Sequence, residues 1–114
     1  YLPFNEIHDL GLLFLHHEII TSGHKSIYLG RSLPIENLIE LNNHFNKITY
    51  ITYLTVEPCE DEIENYINDF NNTILKDNDN ELLIFGRKAK TINHEKLPEK
   101  VQSIENLQDF LNTL

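Results

Sequence analysis

A single cysteine, Cys59, rules out an internal disulfide and makes a reducing cytoplasm the expected setting. Cys59 follows Pro58 and precedes Glu60 and Asp61, whose charge disfavours a thiolate, so an inert free thiol is expected rather than a nucleophile. Long hydrophobic runs are also missing. The longest, Leu10 to Leu15, falls far below the ~18 residues that suggest a membrane span. The opening residues do not read as a secretory leader, and no membrane partner is expected. Positive charge is scarce: nine Lys and Arg face eighteen Asp and Glu, a formal net charge of −9. Such a surface repels phosphate backbones and anionic lipid, so direct binding of nucleic acid by this segment is not expected. The acids are scattered rather than clustered, as on a solvated exterior.

What remains is the composition of an ordinary globular domain. The chain has 114 residues, 40% of them apolar and 24% charged, enough for one domain with a real core and too few for two. A first helix is expected over the apolar run that ends near Gly23, with the aliphatic residues Leu12 through Ile20 packing the core. Ile27-Tyr28-Leu29 reads as a short strand closed by Gly30. Pro34 suits the first turn of a helix whose inner face carries Leu38, Ile39 and Leu41. Ile48 to Val56 has the Ile, Thr, Tyr and Val content of a buried strand. Pro58 opens a helix with Ile63, Tyr66, Ile67 and Phe70 at spacings of three and four. Leu82 to Phe85 is a fully apolar strand ended by Gly86. Lys100 to Ser103 predicts a last short strand, with Ser103 capping a helix through Leu114.

Alternation of this kind predicts a doubly wound α/β fold: a three-layer domain with a parallel sheet between helices, flavodoxin-like or Rossmann-like. The first helix lacks a full strand before it, since only Tyr1-Leu2-Pro3-Phe4 remains. The chain is therefore expected to be a fragment of a longer protein with its first strand truncated. In such folds ligands bind outside the carboxyl ends of the strands, where the strand order reverses. That rule alone brings His8, Thr52, Thr55 and Gly86 to one rim. His16, His17, His24, His44 and His94 are expected to be core-edge or surface residues without a ligand. Tyr50 and Tyr53 are expected as half-buried strand packing.

Glu6-x-His8-x-x-Gly11, then Thr52-x-Leu54, then Gly86 after the fourth strand, resembles the cobalamin-binding domain. Gly11-Leu12-Leu13 and Ile27-Tyr28-Leu29-Gly30 followed by Pro34 look closest to the sensory domains of MerR-type transcriptional regulators. The resemblance implies that His8 is the lower ligand of cobalt, the only metal ligand expected, and that Glu6 holds its other ring N–H. It implies that Gly11 leaves the helix start bare beside the cofactor's nucleotide tail. Thr52 would hydrogen-bond the displaced base, Leu54 would line its slot, and Gly86 would leave room for the tail. The implied cofactor is adenosylcobalamin or methylcobalamin. The implied partners are copies of the chain in a homo-oligomer, and DNA only through an upstream domain; no catalytic residue is implied. Arg87 stands where the family usually has a second Gly, and Lys88 beside it is a candidate for the cofactor's phosphate. Two other readings compete. One is a corrinoid-carrying domain of a methyltransferase or mutase, and the other a degenerate interaction domain that keeps the fold without the cofactor.

Overall fold

Leu82, Leu83, Ile84 and Phe85 are all buried, because the strand they occupy has a helical layer against each of its faces. Continuous apolar strands of this kind belong to parallel sheets covered on both sides. The computed structural model, which describes residues 1–114, forms such a sheet from β1 (Thr49–Tyr53), β2 (Glu81–Phe85) and β3 (Val101–Ser103). All three run parallel in the order β1-β2-β3, with Tyr50 opposite Leu82 and Leu82 opposite Val101. The domain is thus an α/β fold, with helices flanking a parallel sheet.

Side-chain alternation sorts the core into two layers. On one face Tyr50, Leu82, Ile84 and Val101 pack against Ile63, Ile67 and Phe70 of α2 (Glu60–Thr73). Phe70 anchors that layer, edge-on to Tyr50 and stacked with Tyr1. Three acids, Glu60, Asp61 and Glu62, occupy the first turn of α2, where the helix dipole favours them. On the other face Leu83 and Phe85 meet Leu15 of α1 (Leu10–Thr21) and the half-buried Leu107, Phe110 and Leu111 of α3 (Leu107–Leu111).

Beyond β1 the extended chain continues without forming a full ladder. The amino nitrogen of Tyr1 donates to the Ile51 carbonyl at 3.0 Å, and Leu2 N–H donates to Gly30 O at 3.0 Å. Leu33 N–H returns to Leu2 O at 2.9 Å, and Pro3 bridges Leu33 in parallel. Residues 1–3 thus lie between the segment ending at Leu33 and β1. The segment Ile27–Leu29, expected as a strand, is not one here: it has no hydrogen-bonded neighbour along its length.

Three other expectations are corrected. The helix after Pro34 is a 3-10 helix over Ile35–Asn43. A three-residue repeat places Ile35, Leu38 and Leu41 on the inner side and leaves Ile39 outside at 41% exposure. Ser103 does not cap the last helix. It sits in β3 with its hydroxyl donating to Ala89 O at 2.7 Å, and Asn106 caps α3 through its carboxamide oxygen to Asp109 N–H. In α1 only Leu12, Leu15 and Ile19 are buried, while Leu10, Leu13, Phe14 and Ile20 stand exposed along a second stripe.

The amino ends of the strands are held by amides. Asn80, itself buried, accepts from Ile48 N–H at 2.7 Å and donates to Asn42 Oδ1, which also accepts from the Tyr50 hydroxyl.

The 3-10 register makes a direct prediction. Leu38→Ala should cost about 2–5 kcal/mol of stability in denaturant unfolding, as core truncations do, and Ile39→Ala less than about 1 kcal/mol. Equal losses at the two positions would mean that an α-helical register is the correct one.

Candidate functional site

The loops leaving the carboxyl ends of residues 1–3 and of β1 meet beside each other, and Glu6 joins them. Its residue is completely buried, and all four of its hydrogen bonds are accounted for. Oε1 accepts from Thr55 N–H at 2.9 Å and Val56 N–H at 2.8 Å. Oε2 accepts from Ile7 N–H at 3.1 Å and stands 3.2 Å from Nδ1 of His8. Burial by itself would raise the Glu6 pKa. The hydrogen bonds from Val56, His8, Thr55 and Ile7 outweigh it and hold the carboxyl below its ordinary value of 4.5. Glu6 is therefore an ionised acceptor in a dry setting.

That charge orients the histidine. An ionised carboxylate can only accept, so Nδ1 of His8 carries a proton, and in the neutral ring the lone pair is on Nε2. Nε2 has no hydrogen-bond partner in the protein, and the side chain is 55% exposed. Glu6 and His8 are thus paired through Nδ1. The second anchor was not foreseen: the carboxylate is itself gripped by the backbone of residues 55 and 56. An acid at this loop position, close to the end of a strand, was the only available signal.

Around this pair the turn is rigidly bonded. Ser32 N–H donates to Glu6 O at 3.1 Å, and Asn5 N–H to Ser32 Oγ at 3.0 Å. Asp9 precedes α1 but does not cap it with its side chain. It accepts instead from the Tyr28 hydroxyl at 2.7 Å, with Arg31 Nε at 3.9 Å. Burial, then the bond to Asp9, pushes the Tyr28 phenol up to about 12, so it remains a donor.

The two glycines of the motif lie against one ring. A Cβ added at Gly11 would fall 2.5 Å from Cζ of Tyr53, so any other residue there would displace that ring from α1. Gly86 has φ +102°, and a Cβ there would meet Leu54 O at 2.5 Å and Tyr53 Cδ1 at 2.9 Å. Tyr53 also stacks on Phe85, with centroids 6.4 Å apart. The space between the glycines is thus occupied by Tyr53, a residue whose position at the end of β1 gave no sign of this role.

The remaining candidates divide. Thr55 shares the rim through its backbone, and Leu54 lies beneath it, fully buried, with N–H donating to Phe85 O. Thr52 does not reach the rim: it is buried on the α2 face and its hydroxyl donates to Tyr1 O at 3.0 Å. Arg87 is exposed and fills no slot. The Lys88 ammonium donates to the carbonyls of Val56 and Pro58, so it ties down the loop after β1. His16 bonds Ser26, and His94 pairs with Glu105 at 3.1 Å on the surface. No group of three or more His, Cys, Asp or Glu side chains is gathered for a metal ion. No helix is long and apolar enough to cross a membrane. Neither protein-family models nor characterised proteins match the chain.

Glu6→Gln should remove about 2–3 kcal/mol of stability at neutral pH, because an amide must turn one donor toward another donor. A lowered carboxyl pKa adds stability that is complete above its ordinary value of 4.5 and fades as pH falls through the folded value. Urea unfolding of both proteins from neutral to acid pH should show the gap closing only below that point. A gap that persists undiminished in acid would mean that the Glu6 charge is not what stabilises the site.

Proposed function

We propose that the chain is a cobalamin-binding-type sensory domain of a MerR-type transcriptional regulator, acting in the cytoplasm and not as an enzyme by itself. The observation that supports this best is the outward, unpartnered Nε2 of His8, with Nδ1 held by a buried carboxylate. A histidine so held is a stiff, electron-rich donor. It stands alone, without the further side chains that a bare ion needs. A single protein donor suits a metal whose other positions are filled by a macrocycle, as cobalt is in cobalamin.

In this reading His8 would hold the cofactor's cobalt, and Glu6 would set the tautomer and basicity of the ring. The nucleotide tail of adenosylcobalamin or methylcobalamin would pass between Gly11 and Gly86, along Leu54 and Thr55. Tyr53 occupies that passage and has to swing aside for the tail to enter. Thr52 is engaged with Tyr1 and could meet the tail's base only after releasing that bond. Binding would bias the assembly of copies of the chain, and through it the DNA binding of a separate domain. The exposed stripe Leu10, Leu13, Phe14 and Ile20 on α1 supports an assembly surface of this kind.

One observation favours a second reading. Tyr53 packs against both motif glycines and Phe85, as it would in a domain that keeps the fold for interaction and takes no cofactor.

Titration with adenosylcobalamin and methylcobalamin separates the two. The sensor reading expects a saturable change in the visible spectrum, abolished by His8→Ala and obtained at lower cofactor concentration with Tyr53→Ala. Absence of any change in both the unaltered chain and Tyr53→Ala would leave the interaction reading in its place.

A further inference from the structure

Four exposed apolar side chains stand in the two loops that Glu6 joins. Phe4, Ile7 and Leu10 flank His8 in sequence, and Val56 is tied to the same carboxylate through its N–H. Each is at least 45% exposed. The Nε2 of His8 opens from these loops with no partner in the protein. Scattered singly, such side chains need no explanation; gathered about one open imidazole nitrogen, they suit an apolar ligand that carries a metal. Arg31 borders the same surface. Its neighbour Ser32 donates to Glu6 O, and the guanidinium makes no hydrogen bond, with only Nε at 3.9 Å from Asp9 Oδ2. Asp9 is already engaged by the Tyr28 hydroxyl. A chain of net charge −9 thus sets an available cation beside His8.

A macrocycle with a tail and one without make different demands on this rim. The passage between Gly11 and Gly86 is filled by the Tyr53 ring, which stacks on Phe85 with centroids 6.4 Å apart. A tail enters only after that ring leaves its contacts. A flat macrocycle without a tail can lie on the rim while Tyr53 stays packed. An iron porphyrin is flat, apolar over its face, and carries carboxylates at one edge. Its face suits Phe4, Ile7, Leu10 and Val56, and its carboxylates suit a guanidinium. Its iron takes a neutral imidazole as the proximal ligand.

We propose that the His8 rim binds an iron porphyrin of the haem type, with Nε2 of His8 on the iron and Arg31 at the carboxylate edge. This rests on the reading of His8 as the sole protein donor to a macrocycle-held metal, and is independent of whether that macrocycle is ever a cobalamin. Glu6 acts as a positioning residue, holding the ring through Nδ1. Tyr53 keeps its place between the two glycines.

The test is titration of the 114-residue chain with haemin, followed by the Soret band, with metal-free protoporphyrin as the second probe. The unaltered chain should shift and sharpen the haemin band and saturate at one haemin per chain. His8 is exposed, so His8→Ala should fold, and it should raise the haemin concentration needed by about tenfold or more. Metal-free protoporphyrin has the same face and carboxylates without the iron, and should bind more weakly by a similar factor. Arg31→Glu should weaken haemin binding as well; unchanged binding would overturn the placing of the carboxylate edge. Equal haemin binding by His8→Ala, or equal binding of the metal-free porphyrin, would overturn the proposal, since either means stacking on apolar side chains alone. A cobalamin response without a haemin response would overturn the haem assignment and leave the sensor reading intact. Failure of both would remove the donor role of His8 and each reading with it.

Discussion

A buried, ionised carboxylate is costly unless every lone pair finds a donor, and Glu6 finds four: three backbone N–H groups and one imidazole. Two of those donors, Thr55 and Val56, belong to the loop after β1, and the other two follow Glu6 directly. The carboxylate therefore holds together the two loops at the carboxyl ends of residues 1–3 and of β1, and carboxyl ends are the usual ligand position in doubly wound folds. His8 takes its orientation from the same charge. Its outward nitrogen follows from the bonding of Glu6 and needs no other support. Lys88 reinforces the clamp by holding the carbonyls of the loop after β1 from below.

The rim above that clamp is closely packed. Gly86 is needed because the Leu54 backbone approaches within the reach of a Cβ, and Gly11 lets the Tyr53 ring lie against α1. Glycine in this arrangement permits contact between elements rather than leaving a channel open. The two ends of the sheet thus contrast. At the carboxyl end both oxygens of Glu6 are bonded, and one imidazole nitrogen of His8 is left without a partner. At the amino end a cleft of about 800 Å³ is walled by Leu15 and Ile19 of α1 and by Leu41 and Phe45. The α1 helix spans both ends and is apolar on two sides, with Leu12, Leu15 and Ile19 turned to the sheet and Leu10 outward at 81% exposure.

Much of this was legible in the sequence. The strands β1, β2 and β3 followed from β-branched and apolar runs bounded by glycine, proline and polar turns, and α2 from its spacing of Ile63, Ile67 and Phe70. The parallel arrangement followed from strict alternation of helix and strand. The pairing of Glu6 with His8 was implied only by the resemblance that Glu6-x-His8-x-x-Gly11 carries. Other features depended on contacts that one-dimensional periodicity does not encode. Ile35–Asn43 contains apolar residues at both three- and four-residue spacings, and packing chose the tighter repeat. Ile27–Leu29 has strand composition, but a strand needs a neighbour to pair with. The aliphatic residues of α1 carry no polar stripe, so hydrophobicity could not tell the buried side from the exposed one. Tyr53 and Thr52 point to opposite faces of the same strand, which decides that the ring meets the motif glycines and the hydroxyl meets Tyr1.

An ionised Glu6 keeps the proton of the neutral His8 ring on Nδ1 and leaves Nε2 bare. Nitrogen-15 shifts of the labelled imidazole, recorded at a pH where the ring is neutral, read this directly. Nδ1 is expected to be the protonated nitrogen. A spectrum with the proton on Nε2, the tautomer that free histidine prefers, would contradict it.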